Sequence, residues 1–255
     1  MWVDIYGRQA KWNGTAWELV KGQGEFDKPS SENKPQKSVL PGHVRVSGLR
    51  ARVRLEKMDP NDPLTEAYSS LSDNQLGVVR MYTQSYYSKF NSHLRGTSYT
   101  KPPADSVTEE NFKGLDEGEE DFIKQAASDM IDAMSSIPNS PPDSYYRGVS
   151  GDPDSSATVQ RYAELEPGDI LSDKGFGSYT SDRDVTGDFM TYGGRNQNIL
   201  LINKSARLKS VEPVTANPGE SEHISMPGAE FRVRKNEIVE DKRFGKMRVI
   251  EIEDY

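Results

Sequence analysis

The apolar positions of this chain change period once, at a cluster of prolines at 138, 141 and 142. Before it, Leu76, Val79, Tyr86, Phe90 and Leu94 recur at helical spacing. Ser72 and Gln75 fit a capping box and Gly96 supplies a stop, which predicts a helix over 72–95. Phe122, Ile123, Ala126, Met130 and Met134 predict a second helix from about Glu117 to Ser136, after a polar loop over 97–115. After the prolines the pattern alternates. It predicts strands at 144–150, 169–171, 176–180, 198–203, 206–211, 222–226, 230–233 and 247–253, with one short helix near 184–191. Helices first and strands afterwards predict an α+β domain with a mostly antiparallel sheet core.

Ahead of that domain the pattern is less regular. Residues 1–20 hold all three tryptophans, Trp2, Trp12 and Trp17, and Asn13-Gly14 is a strong two-residue turn signal, so a β-hairpin appendage is predicted. The segment is similar to small tryptophan-bearing hairpins of tailed-phage structural proteins. Residues 21–42 are rich in Gly, Pro, Ser, Lys and Glu and read as a flexible linker. From Val44 to Leu55 apolar and basic residues alternate, which predicts a strand with Arg50, Arg52 and Arg54 along one face. On this reading residues 21–57 are a basic linker and strand, and the main domain covers 58–255.

Composition narrows the chemistry. The 255 residues include no cysteine and three histidines (His43, His93, His223), which leaves no disulfide framework, no thiolate nucleophile and little basis for a metal site. No apolar run reaches ~18 residues, and the first residues lack the apolar core of a secretory signal. The net charge of −8 is uneven: residues 1–57 hold 11 Lys/Arg against 6 Asp/Glu, the remainder 21 against 34. An acidic main domain argues against broad affinity for nucleic acid.

Three short stretches carry candidate chemistry. In P-G-E-S-E-H-I-S-M-P, Glu220 and Glu222 stand two apart, so an extended strand would aim both carboxylates the same way. One such carboxylate can steady an oxocarbenium-like sugar carbon while the other takes a proton from an attacking group. In Y-Y-R-G-V-S, Arg147 lies mid-strand, where a guanidinium suits a phosphate, and Gly148 beside it would let a ligand approach the backbone. In G-F-G-S-Y-T-S-D, Ser178 and Thr180 share one strand face, and hydroxyls so placed can hold a carboxylate. Each pattern is common when taken alone.

Arginine, then a Ser-x-Ser/Thr strand, then Glu-x-Glu resembles the ordered signature of the mono-ADP-ribosyltransferases of the R-S-E class. The stretch L-G-V-V-R-M-Y-T-Q-S-Y-Y-S-K-F-N-S-H-L-R-G resembles that family's first helix, with Tyr82 and Asn91 nine residues apart. Phe176, Phe189 and the run from Pro227 to Val233 also fit, so the resemblance spans roughly residues 60–255. Two features depart from the pattern. Thr180 stands where serine is commoner, and the loop E-P-V-T-A-N-P-G before Glu220 lacks the aromatic residue that many relatives use to grip a target.

The resemblance implies helices packed on a two-layer β core with a central NAD cleft. It implies NAD as substrate, with no metal, and these roles for the residues. Arg147 pairs with the pyrophosphate, and Gly148 offers its backbone to the nicotinamide amide. Tyr82, Asn91 and Phe189 wall the site, while Ser178 and Thr180 support Glu222. Glu222 binds the ribose, and Glu220 prepares the acceptor. Because a guanidinium has a pKa above 12, glutamate at the first position implies arginine on a target protein as acceptor. The alternatives are an NAD glycohydrolase using water and a non-catalytic virion or adhesion protein. The expected setting is virion-associated or delivered into a host cytoplasm, as a phage effector or bacterial toxin, with no membrane or nucleic-acid partner.

Overall fold

The stretch read as an alternating strand is a helix. In the computed structural model, which describes residues 42–97, 117–151, 157–191 and 197–255 and three short strands nearer the N-terminus, α1 spans Gly42–Leu55. Its buried positions are Val44, Gly48, Ala51 and Leu55, a helical spacing hidden in the sequence by one glycine and one alanine. Gly48 is where the backbone at Asp73 crosses: a Cβ there would lie 1.8 Å from the Asp73 carbonyl oxygen. The arginine strip is also dispersed. Arg52 pairs with the Asp73 carboxylate and donates to the Ser69 and Leu71 carbonyls, Arg54 pairs with Glu212, and Arg50 remains exposed. Helix α1 thus shares one core with the chain after it, where the sequence had indicated a linker and strand outside the domain.

The short strands β1 (Trp2–Val3), β2 (Gln9–Trp12) and β3 (Trp17–Leu19) form an antiparallel sheet with Trp12 opposite Trp17. The Asn13-Gly14 turn, nearly all of the 21–42 linker and most of the loop after Gly96 lie outside the described residues.

Helix α2 (Pro63–Ser69) starts at an Asp62 cap. The predicted 72–95 helix begins with the expected capping box of Ser72 and Gln75 and ends at Gly96 in the left-handed region, but it is not uniform. Between α3 (Asp73–Met81) and α4 (Tyr87–Arg95) lies a π-helical turn, Tyr82–Tyr86. Helix α5 spans Glu117–Ser136, and its predicted inward residues are buried. These helices pack around one apolar cluster that also takes in Phe176, Val211, Val214 and Ile224.

Eight strands form one sheet: β4 (Tyr145–Gly151), β5 (Ile170–Ser172), β6 (Gly177–Thr180), β7 (Gln197–Asn203), β8 (Lys209–Ser210), β9 (Glu222–Ser225), β10 (Glu230–Asp241) and β11 (Gly245–Asp254). Their order is β5-β10-β11-β7-β4-β6-β9-β8, and every neighbouring pair is antiparallel except β7 with β11. The sheet is nearly divided. Strands β4 and β6 share a single registered pair, Tyr146 with Thr180, and beyond it the two halves part. The three-stranded half, β6-β9-β8, backs onto the helical cluster. Two smaller clusters cover the five-stranded half, one with Val159 of α6 (Ala157–Glu164) and one with Met190 of α7 (Thr186–Thr191). Helices α2 and α6 and the extension of β10 past Val233 are not indicated by the sequence pattern.

Candidate active site

Where the halves part, the chain leaves a cavity of about 260 Å³, close to the lower bound for small-molecule sites. Arg147, Gly148, Ser178, Thr180, Glu220, Glu222, Tyr82, Asn91 and Phe189 all line it, so the residues expected to form the NAD site converge there. They arrive from five places: the open edge of β4, the β6–β9 ladder, the turn before β9, the π-turn with α4, and α7.

The ladder fixes the carboxylate. Thr180 lies opposite Glu222 and Ser178 opposite Ile224, which puts Ser178, Thr180 and Glu222 on one face. Burial pushes the Glu222 carboxyl up to about 7, with Glu220 and Glu212 adding to the effect and the Ser178 hydroxyl drawing it back. One of its oxygens, Oε2, is buried without a hydrogen-bond partner. The hydroxyl pair does not act as a unit, because the Thr180 hydroxyl accepts from the Asp182 amide at 3.0 Å and donates to its carbonyl at 3.3 Å.

Glu220 is not in the strand. It sits in the turn before β9, and Ser221 between the two glutamates adopts φ 45°. Both carboxylates still line the cavity, but a left-handed residue brings them there and not strand alternation. Burial raises the Glu220 carboxyl, and a hydrogen bond with Asn217 partly offsets this.

Arg147 reaches under β6, with a nitrogen 3.4 Å from where a Cβ on Gly177 would sit. Burial opposes its charge, yet Tyr162, Tyr179, Tyr82 and Asp173 around it hold the guanidinium above its ordinary range. Asp173 is itself held by Arg95 in a two-point pair at 2.8 and 2.7 Å. Gly148 is also required by packing within the protein. A Cβ there would lie 2.5 Å from the Thr186 carbonyl oxygen and 3.3 Å from the Phe189 Cβ, so α7 is a close neighbour. Phe189 itself is half exposed at the rim. Asn91 spends its amide on the protein. Its Oδ1 accepts from the Phe176 amide at 2.7 Å, and its Nδ2 donates to the Phe176 carbonyl at 3.1 Å. The Tyr82 hydroxyl, 3.3 Å from Ser178 Oγ, is pushed up to about 12 by burial and stays neutral.

No protein-family model and no curated protein matches the sequence. Solved structures do. The ADP-ribosyltransferase Vis, a toxin from Vibrio splendidus, superposes with a TM-score of 0.55 at 18% identity over 87% of this chain and 88% of that one. Plx2a, an ADP-ribosyltransferase toxin from Paenibacillus larvae, gives 0.52 at 14% over 81% and 95%. The type III effector XopAI from Xanthomonas axonopodis pv. citri gives 0.52 at 14% over 84% and 82%. The fold is that of the ADP-ribosyltransferases.

On this ADP-ribosyltransferase fold the cavity also includes residues that sequence reasoning did not select: Tyr87, Thr83, Asn217 and Tyr146. Tyr87 is about half exposed and reaches the rim from α4. The doubled tyrosine at 86–87 was the available signal, but only the π-turn decides which of the two faces the cavity. Among the described residues no group of His, Asp or Glu is placed to hold a metal ion, and no helix is long and apolar enough to cross a membrane.

Proposed function

We propose that the protein transfers ADP-ribose from NAD to an arginine side chain of a target protein and releases nicotinamide. The observation that carries this reading is the meeting of Arg147, Ser178, Glu220 and Glu222 in one cavity, with an unpartnered Glu222 oxygen buried in it. The residues present fit NAD. Among the described residues the Arg147 side chain donates no hydrogen bond and forms no ion pair, so its donors are available to a pyrophosphate. Beyond Tyr146 the β4 edge is bonded on the β7 side alone, which leaves backbone groups beside Gly148 for an amide.

NAD supplies an ADP-ribosyl group whose bond to nicotinamide breaks with the electron pair leaving on the nicotinamide nitrogen. Arg147 neutralises the pyrophosphate and holds the ribose at the carboxylates. Glu222, ionised, accepts a hydrogen bond from a ribose hydroxyl and offsets the positive charge that grows at the sugar carbon. Glu220 accepts the proton that a guanidinium nitrogen loses as it bonds to that carbon, and burial makes it a better base than an exposed glutamate. The Vis structure holds agmatine, a guanidino compound, which supports the same acceptor chemistry here. Two of the similar structures are toxins and the third is a type III effector, which supports action inside a host cell.

The test is incubation with labelled NAD and agmatine or an arginine-bearing protein. Glu220→Gln is expected to abolish labelling and to leave measurable release of ADP-ribose and nicotinamide. Full labelling by this variant would remove the role given to Glu220. A wild-type protein that only hydrolyses NAD would be a glycohydrolase, and one that leaves NAD intact would be no enzyme of this kind.

A further inference from the structure

The turn that carries Glu220 is not free-standing; Arg80 and Thr83 fasten it to the helical layer. Arg80, in the last turn of α3, donates from Nη1 to the carbonyls of Val214 (3.1 Å) and Thr215 (2.6 Å). Thr83, in the π-turn, uses both its side chain and its backbone. Its hydroxyl donates to the Arg80 carbonyl at 2.8 Å and accepts from the Ala216 amide at 2.9 Å, while its carbonyl accepts from Asn217 Nδ2, also at 2.9 Å. Thr83 is 5% exposed, so the hydroxyl is withdrawn from bulk water and its two bonds are not readily replaced. Asn217 continues the chain of contacts, because its carbonyl accepts from the Glu220 amide at 3.1 Å.

The π-turn makes this fastening possible. A π-turn places one more residue in the turn than an α-helix does, which displaces backbone groups from the ordinary ladder. Here it allows neighbouring residues to serve opposite sides of the cavity. The Tyr82 hydroxyl meets Ser178 on the β6 side, while Thr83 meets Ala216 and Asn217 on the turn. The helix that walls the nucleotide side therefore also sets where the acceptor-side glutamate stands.

We infer that Thr83, through its hydroxyl on Ala216 and its carbonyl on Asn217, is a positioning residue for Glu220 and sets how far the enzyme favours a guanidino acceptor over water. The inference rests on the transferase reading above and adds to it a residue for which acceptor and NAD kinetics should separate. An acceptor glutamate displaced by even about 1 Å loses its proton-transfer geometry, whereas water needs no such alignment.

The test compares the full chain with Thr83→Val, which keeps the shape and removes both hydroxyl bonds, and with Asn217→Ala, a change at an exposed position. For each, nicotinamide release without acceptor and agmatine-dependent labelling are measured, with KM for NAD and for agmatine. Both variants are expected to lower the ratio of transfer to hydrolysis ~10-fold, the size of one or two lost hydrogen bonds. The loss should fall on kcat/KM for agmatine, with KM for NAD within about twofold, and Thr83→Ser, which keeps the hydroxyl, should restore the ratio. A merely structural Thr83 would lower both activities and the melting temperature together, and that result overturns the inference. So does a ratio unchanged in Asn217→Ala, whatever the fate of Thr83→Val. If the wild-type chain hydrolyses NAD but labels no guanidino acceptor, the transferase reading fails, and this inference fails with it.

Discussion

Tyr146 and Thr180 are the one registered pair between β4 and β6, so the two halves of the sheet meet at a point and not along an edge. Thr180 also lies opposite Glu222 on its other side. The residue that pins the opening is therefore the one that places the buried carboxylate. Its hydroxyl is bonded twice to the Asp182 backbone, where the chain leaves β6.

Removing that hydroxyl should loosen the opening without emptying it. Thr180→Val is expected to destabilise the protein by ~1–2 kcal/mol, as a Thr that is 6% exposed loses two backbone bonds, and to raise KM for NAD. Thr180→Ser, which keeps the bonds, should change neither by much. Urea denaturation and initial rates on the two variants check this. Equal stability of Thr180→Val and wild type would show that the Asp182 contacts contribute nothing.

Gly148→Ala should act through α7. The added methyl would meet the Thr186 carbonyl at 2.5 Å, which helix backbone cannot relieve without moving. Overpacking of this kind costs ~1–3 kcal/mol. Because α7 carries Phe189 at the rim, the expected signature is lower stability together with weaker NAD binding. An alanine variant that binds NAD normally would show that α7 moves freely.

Two truncations separate the ends of the domain. The buried cluster described above begins at Val44, and NAD cleavage is expected to survive removal of residues 1–41. Removing residues 1–57 takes away the fully buried Val44 and Ala51 and the nearly buried Leu55, and exposes the faces of α3 that they covered. At ~1.5–3 kcal/mol for each large aliphatic side chain, the loss rivals a typical total stability of ~5–15 kcal/mol. The shorter protein should not fold, and circular dichroism of both truncations decides the point.

That contrast shows where the sequence is readable. Helix α5 is legible because Phe122, Ile123, Ala126, Met130 and Met134 are large or apolar at helical spacing and are all buried. Helix α1 is not, because half its buried face is Gly48 and Ala51, and backbone contact with α3 takes the place of side-chain burial. Its arginines, spaced by two, then imitate a strand. Helix α6 buries little beyond Val159 and has too few apolar positions to show a period. At the site, residues whose type suits the chemistry can be read off directly: Arg147, Ser178, Glu220, Glu222. Thr83 and Asn217 cannot, since a threonine in a helix and an asparagine in a turn acquire meaning only when a π-turn and a loop are brought together. The left-handed Ser221 is equally silent in sequence, and it shows that Glu-x-Glu spacing converges here for a reason other than strand alternation.

Glu222 helps and harms the protein in the same range of pH. Its carboxyl titrates near 7 in the folded protein, against an ordinary value of 4.5. Between these values the native state binds more protons than the unfolded chain, so stability falls as pH rises from about 4.5 through 7. Below 4.5 both states are protonated and the group costs nothing. Above 7 the charge is buried in full, and a shift of this size corresponds to at most ~3 kcal/mol. Glu222→Gln removes the titration. The variant should therefore melt at a higher temperature than wild type at pH 8 and at nearly the same temperature at pH 4.5. The chemistry runs the other way, since the role given to Glu222 needs the ionised form. Wild-type kcat/KM for NAD should fall as pH drops through about 7, and Glu222→Gln should lose ~10²–10³ in rate at pH 8. One substitution would thus stabilise the fold and disable the site under the same conditions. Melting curves and nicotinamide release at the two pH values measure both halves, and a variant no more stable than wild type at pH 8 would mean that the carboxylate is solvated and its burial does not raise its pKa.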